Sequence, residues 1–119
     1  MSWKDEDFCY VTTTGRITGR PHQIEIWFGA DGDDRIYLLS GGGGRSDWVK
    51  NIRADPGVIV RVGDRERAGR ARVIEDAAEE GEARRLLASK YQVWKEGKRM
   101  SGWASTALPV AIDLKPAKG

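Results

Sequence analysis

Phe8-Cys9-Tyr10-Val11-Thr12-Thr13-Thr14, the turn Gly15 to Pro21, and His22-Gln23-Ile24-Glu25-Ile26-Trp27-Phe28 form the stretch on which the fold turns. The first run is rich in aromatic and β-branched residues, which pack well on a pleated surface, and it stops at a glycine. The second alternates polar with apolar and puts Ile24, Ile26 and Phe28 on one face, the period-two signature of a half-buried strand. Two strands joined by so tight a turn pair antiparallel. Outward from this hairpin, Asp31-Gly32-Asp33-Asp34 has the composition of a second hairpin turn, and Arg35 to Leu39 is the returning strand. Val58-Ile59-Val60-Arg61-Val62 is the clearest strand in the chain, Gly63-Asp64 turns, and Arg65 to Glu75 alternates less cleanly through Ala68, Ala71 and Val73. Ala107 to Leu114 closes the set, with Ile112 and Leu114 inside.

Two helices interrupt the strands. Ser46 to Arg53 reads as a short one, with Ser46 as N-cap and Trp48 or Val49 with Ile52 on the buried side. Asp55-Pro56-Gly57 ends it, because proline cannot continue a helix and disfavours the α conformation before it. From Asp76 the period changes: Ala83, Leu86, Leu87, Tyr91 and Trp94 recur at three- and four-residue steps, an amphipathic helix that Gly97 ends. Lys98 to Ser105 reads as a loop carrying Trp103, and the tail Lys115 to Gly119 as frayed. The expectation is a mainly β (α+β) domain over residues 1–119. It has about six mostly antiparallel strands with one short and one longer helix, and closing the sheet into a small barrel removes its exposed edges. Too few helices are present for the crossovers a parallel sheet needs.

Composition narrows the function classes. The 119 residues carry 20 Lys and Arg against 18 Asp and Glu, a formal charge of +2. Charges are dispersed, no apolar run approaches the roughly 20 residues of a spanning helix, and the start Met1 to Asp7 is acidic without an apolar signal core. The expectation is a cytoplasmic protein with no integral membrane segment. Cys9 is the only cysteine and His22 the only histidine, which leaves no set for a metal site or a Cys–His pair with spare parts. The arginines cluster at Arg16 and Arg20, at Arg45 and Arg53, and from Arg61 to Arg72, so one basic face is compatible with the near-neutral total. Nucleic-acid binding through Arg61 to Arg72 fits that small charge poorly.

Three segments carry chemistry. Ser40-Gly41-Gly42-Gly43-Gly44-Arg45 runs directly into the short helix, and a glycine run can turn several N–H groups toward one anion beside a helix start and an arginine. Asp47 opposes this by placing negative charge at the same end, no Walker motif is present, and a plain glycine-rich loop is the alternative. Thr14-Gly15-Arg16-Ile17-Thr18-Gly19-Arg20-Pro21-His22 brings Arg16 and Arg20 or His22 toward a common anion, or is an ordinary turn with a structural histidine. Five tryptophans exceed the needs of a small core. Trp27 departs from the Ile24, Ile26, Phe28 face and needs an apolar neighbour, a dimer contact or a flat ligand, whereas Tyr91 and Trp94 fit core positions of their helix.

Val11-Thr12-Thr13-Thr14-Gly15-Arg16, Gly19-Arg20-Pro21-His22, Ser40 to Gly44, Trp48-Val49-Lys50-Asn51 and Ile52-Arg53-Ala54-Asp55-Pro56, with Leu108-Pro109-Val110 near the end, together resemble the deazaflavin (F420)-dependent nitroreductase family. The resemblance implies a split β-barrel that binds reduced coenzyme F420 and passes its hydride to a small-molecule electron acceptor of quinone, nitro or activated-alkene type. It implies cofactor contacts at Arg16, Arg20, His22, Ile26, Trp27, Leu39, Ser40, Gly41, Gly42, Arg45, Trp48 and Asn51. Acceptor contacts fall at Tyr91 and Trp94. Ser40 or a neighbouring N–H stabilises developing charge, and the proton comes from Ser40, Tyr91 or water. Ile17 stands where relatives often carry a base, His22 where many carry arginine, and Lys98-Arg99-Met100 where some place tyrosines. An FMN-binding split barrel resembling the pyridoxamine-phosphate-oxidase class and a non-catalytic cofactor carrier are the alternatives, and a homodimer and a monomer are both compatible.

Overall fold

The computed structural model describes residues 2–116, so Met1 and the tail positions Ala117 to Gly119 lie outside the described residues. Seven strands form one sheet: β1 (Cys9–Thr14), β2 (Pro21–Ile26), β3 (Gly29–Ala30), β4 (Arg35–Ser40), β5 (Gly57–Val62), β6 (Arg65–Val73) and β7 (Leu108–Leu114). Their order is β2-β1-β5-β6-β7-β4-β3, and every pairing is antiparallel. β2 and β3 stand at opposite ends of that order yet are separated in the chain by Trp27 and Phe28 alone. Consecutive Cα atoms are only about 3.8 Å apart, so the two ends of the sheet must meet and the sheet curls into a split barrel. The mainly β, antiparallel split-barrel expectation therefore holds.

The differences are local. The six expected strands become seven because β3 is a two-residue piece, too short to leave a periodic signal. The first strand begins at Cys9, and Phe8 is exposed. α1 (Asp47–Ala54) lies where the short helix was expected, but α2 (Ala77–Gln92) stops before Gly97, with Val93 in the left-handed conformation at φ 51°. Trp94 thus leaves the helix. A third helix, α3 (Gly102–Thr106), replaces the expected loop around Trp103, and the Ser101 hydroxyl accepts from Ala104 N–H at 3.1 Å to cap it.

Two apolar clusters explain the packing. Cys9, Val11, Phe28, Ile36, Leu38, Val49, Ile52, Val60, Val110 and Ile112 fill the barrel, with Ile24 and Ile26 against them. Tyr37, Leu39, Ile74, Leu87 and Ala111 form the second, under α2 and α3, with Tyr91 and Trp103 at its margin. β4 is covered on both faces, which is why Ile36-Tyr37-Leu38-Leu39 is apolar without alternation. Ion pairs tie the start of α2 to the sheet. Arg72 Nη1 meets Glu79 Oε1 at 2.6 Å and its Nε meets Asp113 Oδ2 at 2.9 Å, while Arg35 Nε reaches Asp113 Oδ1 at 2.7 Å.

Candidate functional site

α1 joins the β1–β2 turn to the glycine loop. Asn51 lies on its inner face, 2% exposed, and its amide is used from both ends. Nδ2 donates to Thr13 Oγ1 at 3.0 Å, while Oδ1 accepts from Arg16 N at 3.2 Å and Arg16 Nη1 at 2.9 Å. The same guanidinium reaches Asp47 Oδ1 at 3.2 Å. Arg16 is therefore a brace between turn and helix, anchored at the helix start by Asp47, the first residue of α1. Gly15 is required here by close approach: a Cβ would lie 2.8 Å from His22 Cδ2 and Nε2, so the imidazole rests on bare backbone. Ile17 and Arg20 project from the turn, with Ile17 85% exposed.

The glycine run forms a turn followed by one 3-10 turn, Gly43–Arg45, in which Gly43 takes φ +60°, a conformation natural to glycine. Ser40 is 2% exposed, and its hydroxyl donates to Gly43 O at 3.0 Å with Ser46 Oγ 2.9 Å away. Sequence reading places the Ser40 hydroxyl at the reacting centre; in the structure this buried hydroxyl closes the loop instead. Ser46 occupies the N-cap position as expected but makes no side-chain cap bond, because its hydroxyl is turned to Ser40. The N–H groups at the start of α1 thus receive no side-chain cap. Arg53, which sequence reading left outside the site, lies over the loop: a Cβ at Gly44 would be 3.1 Å from its Nη1. Among the described residues, Arg20, Arg45 and Arg53 make no ion pair. The sequence signal for Arg53 is its clustering with Arg45.

The third neighbourhood is aromatic. Trp27, at the β2-to-β3 crossing, stacks on Tyr91 with centroids 4.4 Å apart and planes 2° off parallel, and meets Trp103 edge-on at 5.3 Å. Trp103 in turn borders the glycine loop, 4.0 Å from where a Gly41 Cβ would stand. Trp27 thus finds apolar neighbours within the chain, and Trp103, expected in a loop, links them to the glycine run. Tyr91 is held as a strut. Its hydroxyl accepts from Phe28 N–H at 3.0 Å and sits 2.8 Å from the Asp7 carbonyl and 3.0 Å from that of Phe28. Burial pushes its pKa up to about 12, so it keeps its proton across the neutral range. Beside it, Lys90 Nζ donates to the carbonyls of Glu6 at 2.7 Å and Phe28 at 3.0 Å.

Three of the expected contacts point inward. Trp48 is buried in the barrel core and Leu39 in the second cluster, so they shape the walls, while Ile26 packs against the barrel core and stays partly exposed. The rest lie in three places. Arg16, Ser40, Gly41, Gly42, Arg45 and Asn51 gather around α1, with Arg20 and His22 on the adjoining turn; Trp27 and Tyr91 lie with Trp103, which borders Gly41; Trp94 stands apart, beyond the end of α2.

The candidate site is thus a glycine-rich, arginine-flanked loop that borders an aromatic cluster on a split barrel. Its family is specific: the model of the F420H(2)-dependent quinone reductase family matches residues 1–115, and the chain belongs to that family. The family uses reduced coenzyme F420, and the chain is placed among oxidoreductases. Solved structures agree on the fold. An F420-H2 dependent reductase, FDR-A, superposes with a TM-score of 0.67 at 22% identity, over 92% of this chain and 94% of that one. An F420 reductase gives 0.65 at 17% identity, over 96% and 91%. A FAD-binding protein from Mesorhizobium loti gives 0.64 at 15% identity, over 95% and 82%. Among the described residues, no helix is long and apolar enough to cross a membrane.

The residues present suit the family's cofactor. A deazaflavin with a phosphodiester and carboxylate tail asks for uncommitted cations, free N–H groups and a flat apolar wall. Arg20, Arg45 and Arg53, the uncapped start of α1, and Trp27 with Trp103 are of those three kinds.

Proposed function

We propose that this chain transfers hydride from reduced F420 to a small organic acceptor of quinone, nitro or activated-alkene type. The family match across residues 1–115 carries this reading, and the gathering of Arg45 and Arg53 at a glycine loop bordered by Trp103 supports it. The bound cofactor supplies the hydride; the protein's share is placement, exclusion of water and charge stabilisation. Arg20, Arg45 and Arg53 hold phosphate and carboxylate oxygens, with bidentate geometry open to each guanidinium. Arg16, locked by Asn51 and Asp47, sets the turn that presents Arg20. The backbone N–H groups of Gly41 and Gly42 face charge that develops during transfer. With the hydroxyls of Ser40 and Tyr91 committed to internal bonds, the accompanying proton comes from water.

The test is a fluorescence titration of apoprotein with F420 and, separately, with FMN. Micromolar or tighter F420 binding with FMN ignored is the expected result, and Arg45→Gln and Arg53→Gln each weaken it. Preferential FMN binding assigns the chain to the flavin-using split barrels instead. Saturable F420 binding without turnover of any quinone, nitroaromatic or enone makes it a cofactor carrier.

A further inference from the structure

The segment after α2 borders an open surface pocket of about 410 Å³ lined by Gln92, Trp94, Lys98, Arg99, Met100 and Ser101. Its construction begins with Val93, the one described non-glycine residue at positive φ, 51°. A β-branched side chain is disfavoured in the left-handed region, so this backbone is maintained against local preference. The effect is to end α2 abruptly, with Trp94 N bonded back to Ala88 O at 3.2 Å. The Trp94 ring is then fixed by its Nε1, which donates to Lys98 O at 2.7 Å. On the other wall, Ser101 Oγ bonds to Gln92 Oε1, which directs the opposite end of that amide, its NH₂, elsewhere as a donor.

The polar inventory is lopsided. Lys98 and Arg99 make no ion pair among the described residues, and no carboxylate lines the pocket. The nearby Glu96 sits 3.8 Å from Arg85 and outside the lining. An indole face, a thioether, an amide donor and two uncommitted cations form a lining that suits a flat, negatively charged organic molecule. The pocket is also continuous in sequence with the aromatic cluster: Gln92 follows Tyr91, and Ser101 stands two residues before Trp103.

We propose that this pocket binds a planar organic anion, and that the acceptor which this chain reduces carries a sulfonate, carboxylate or ionised ring hydroxyl. The second clause rests on the functional reading above; the first does not. Two probes separate charge from shape: anthraquinone-2-sulfonate and neutral 2-(hydroxymethyl)anthraquinone, each titrated calorimetrically into the full chain without cofactor. At low ionic strength the sulfonate binds about tenfold more tightly than the neutral analogue, the size expected of two partly screened cations. High salt erodes the preference. Lys98→Gln/Arg99→Gln abolishes the preference while leaving the circular dichroism spectrum and F420 affinity unchanged, and Trp94→Leu weakens both probes. Equal affinity for the two probes, no binding of either, or a preference that survives in the double variant overturns the pocket. With reduced F420 present, the double variant raises KM for the sulfonate alone and leaves kcat intact; an unchanged KM overturns the acceptor clause. If the wild-type chain fails to bind F420, the functional reading falls, and the anion pocket is judged by calorimetry alone.

Discussion

Asn51→Ala removes the residue that binds the β1–β2 turn to α1. Its consequences follow from counting partners. Arg16 N–H loses its acceptor, Thr13 Oγ1 loses its amide donor, and Arg16 Nη1 loses its shorter contact, at 2.9 Å, while keeping Asp47. Neutral bonds at partly buried sites contribute about 1 kcal/mol each and stranded polar groups cost more, so the loss is about 2–4 kcal/mol. For a chain of this size that lowers Tm by about 8–16 °C. Asn51→Asp costs less, because the carboxylate still accepts from Arg16 and lets the Thr13 hydroxyl donate to it. Urea unfolding followed by far-ultraviolet circular dichroism measures both variants, and a parallel F420 titration reports whether the turn has loosened. A loss below about 1 kcal/mol for Asn51→Ala, or an Asp variant as damaged as the Ala variant, refutes the bracing role.

The acid limb of stability depends on Arg72. Its hydrogen bonds hold the carboxyls of Glu79 and Asp113 below their ordinary values, with Arg35 and, for Glu79, Tyr37 assisting. Carboxyls with depressed folded-state pKa stabilise above their unfolded pKa, and that contribution is lost as pH falls through the folded value. Arg72→Gln therefore lowers Tm at pH 7 and flattens its decline on the acid side of about pH 4; profiles that run parallel down to acid pH refute the coupling. Gly69→Ala tests a close approach of β6 to β7, since its Cβ would lie 2.8 Å from Ile112 Cγ2 and 3.1 Å from Asp113 O. Overpacking of this kind costs about 1–3 kcal/mol by urea unfolding, and an unchanged midpoint shows that β7 yields freely.

Much of the frame was legible because it rests on local signals. Strand alternation from His22 to Phe28, the Asp55-Pro56-Gly57 break and the three- and four-residue spacing of Ala83, Leu86, Leu87 and Tyr91 each follow from one stretch of chain. β3 and α3 were not legible, since two residues carry no period and Gly102–Thr106 buries Ala104 alone. The candidate site was read as a neighbourhood more than as a set of roles. Glycine and arginine at Gly41 to Arg45 are visible in sequence, but whether a hydroxyl faces a ligand or its own loop depends on the partner it finds. Ser40 finds Ser46 and Gly43, Arg16 finds Asn51, and Tyr91 finds Phe28, 63 positions away in the chain. Arg53 needed the opposite information: that the fold brings it to Gly44 and supplies no acid to meet it.

The crossing at Trp27 and Phe28 has a mechanical consequence. Both rims of the sheet belong to one ten-residue ribbon, Pro21 to Ala30, so the barrel has a single seam and that seam is stitched by covalent bonds. Neither rim can peel away without dragging the other, and the indole of Trp27 marks the stitch. A molecule that lodges against that indole therefore presses on both rims at once, and its occupancy should be felt as slower amide exchange in β1 and in β4 alike, although those strands never touch.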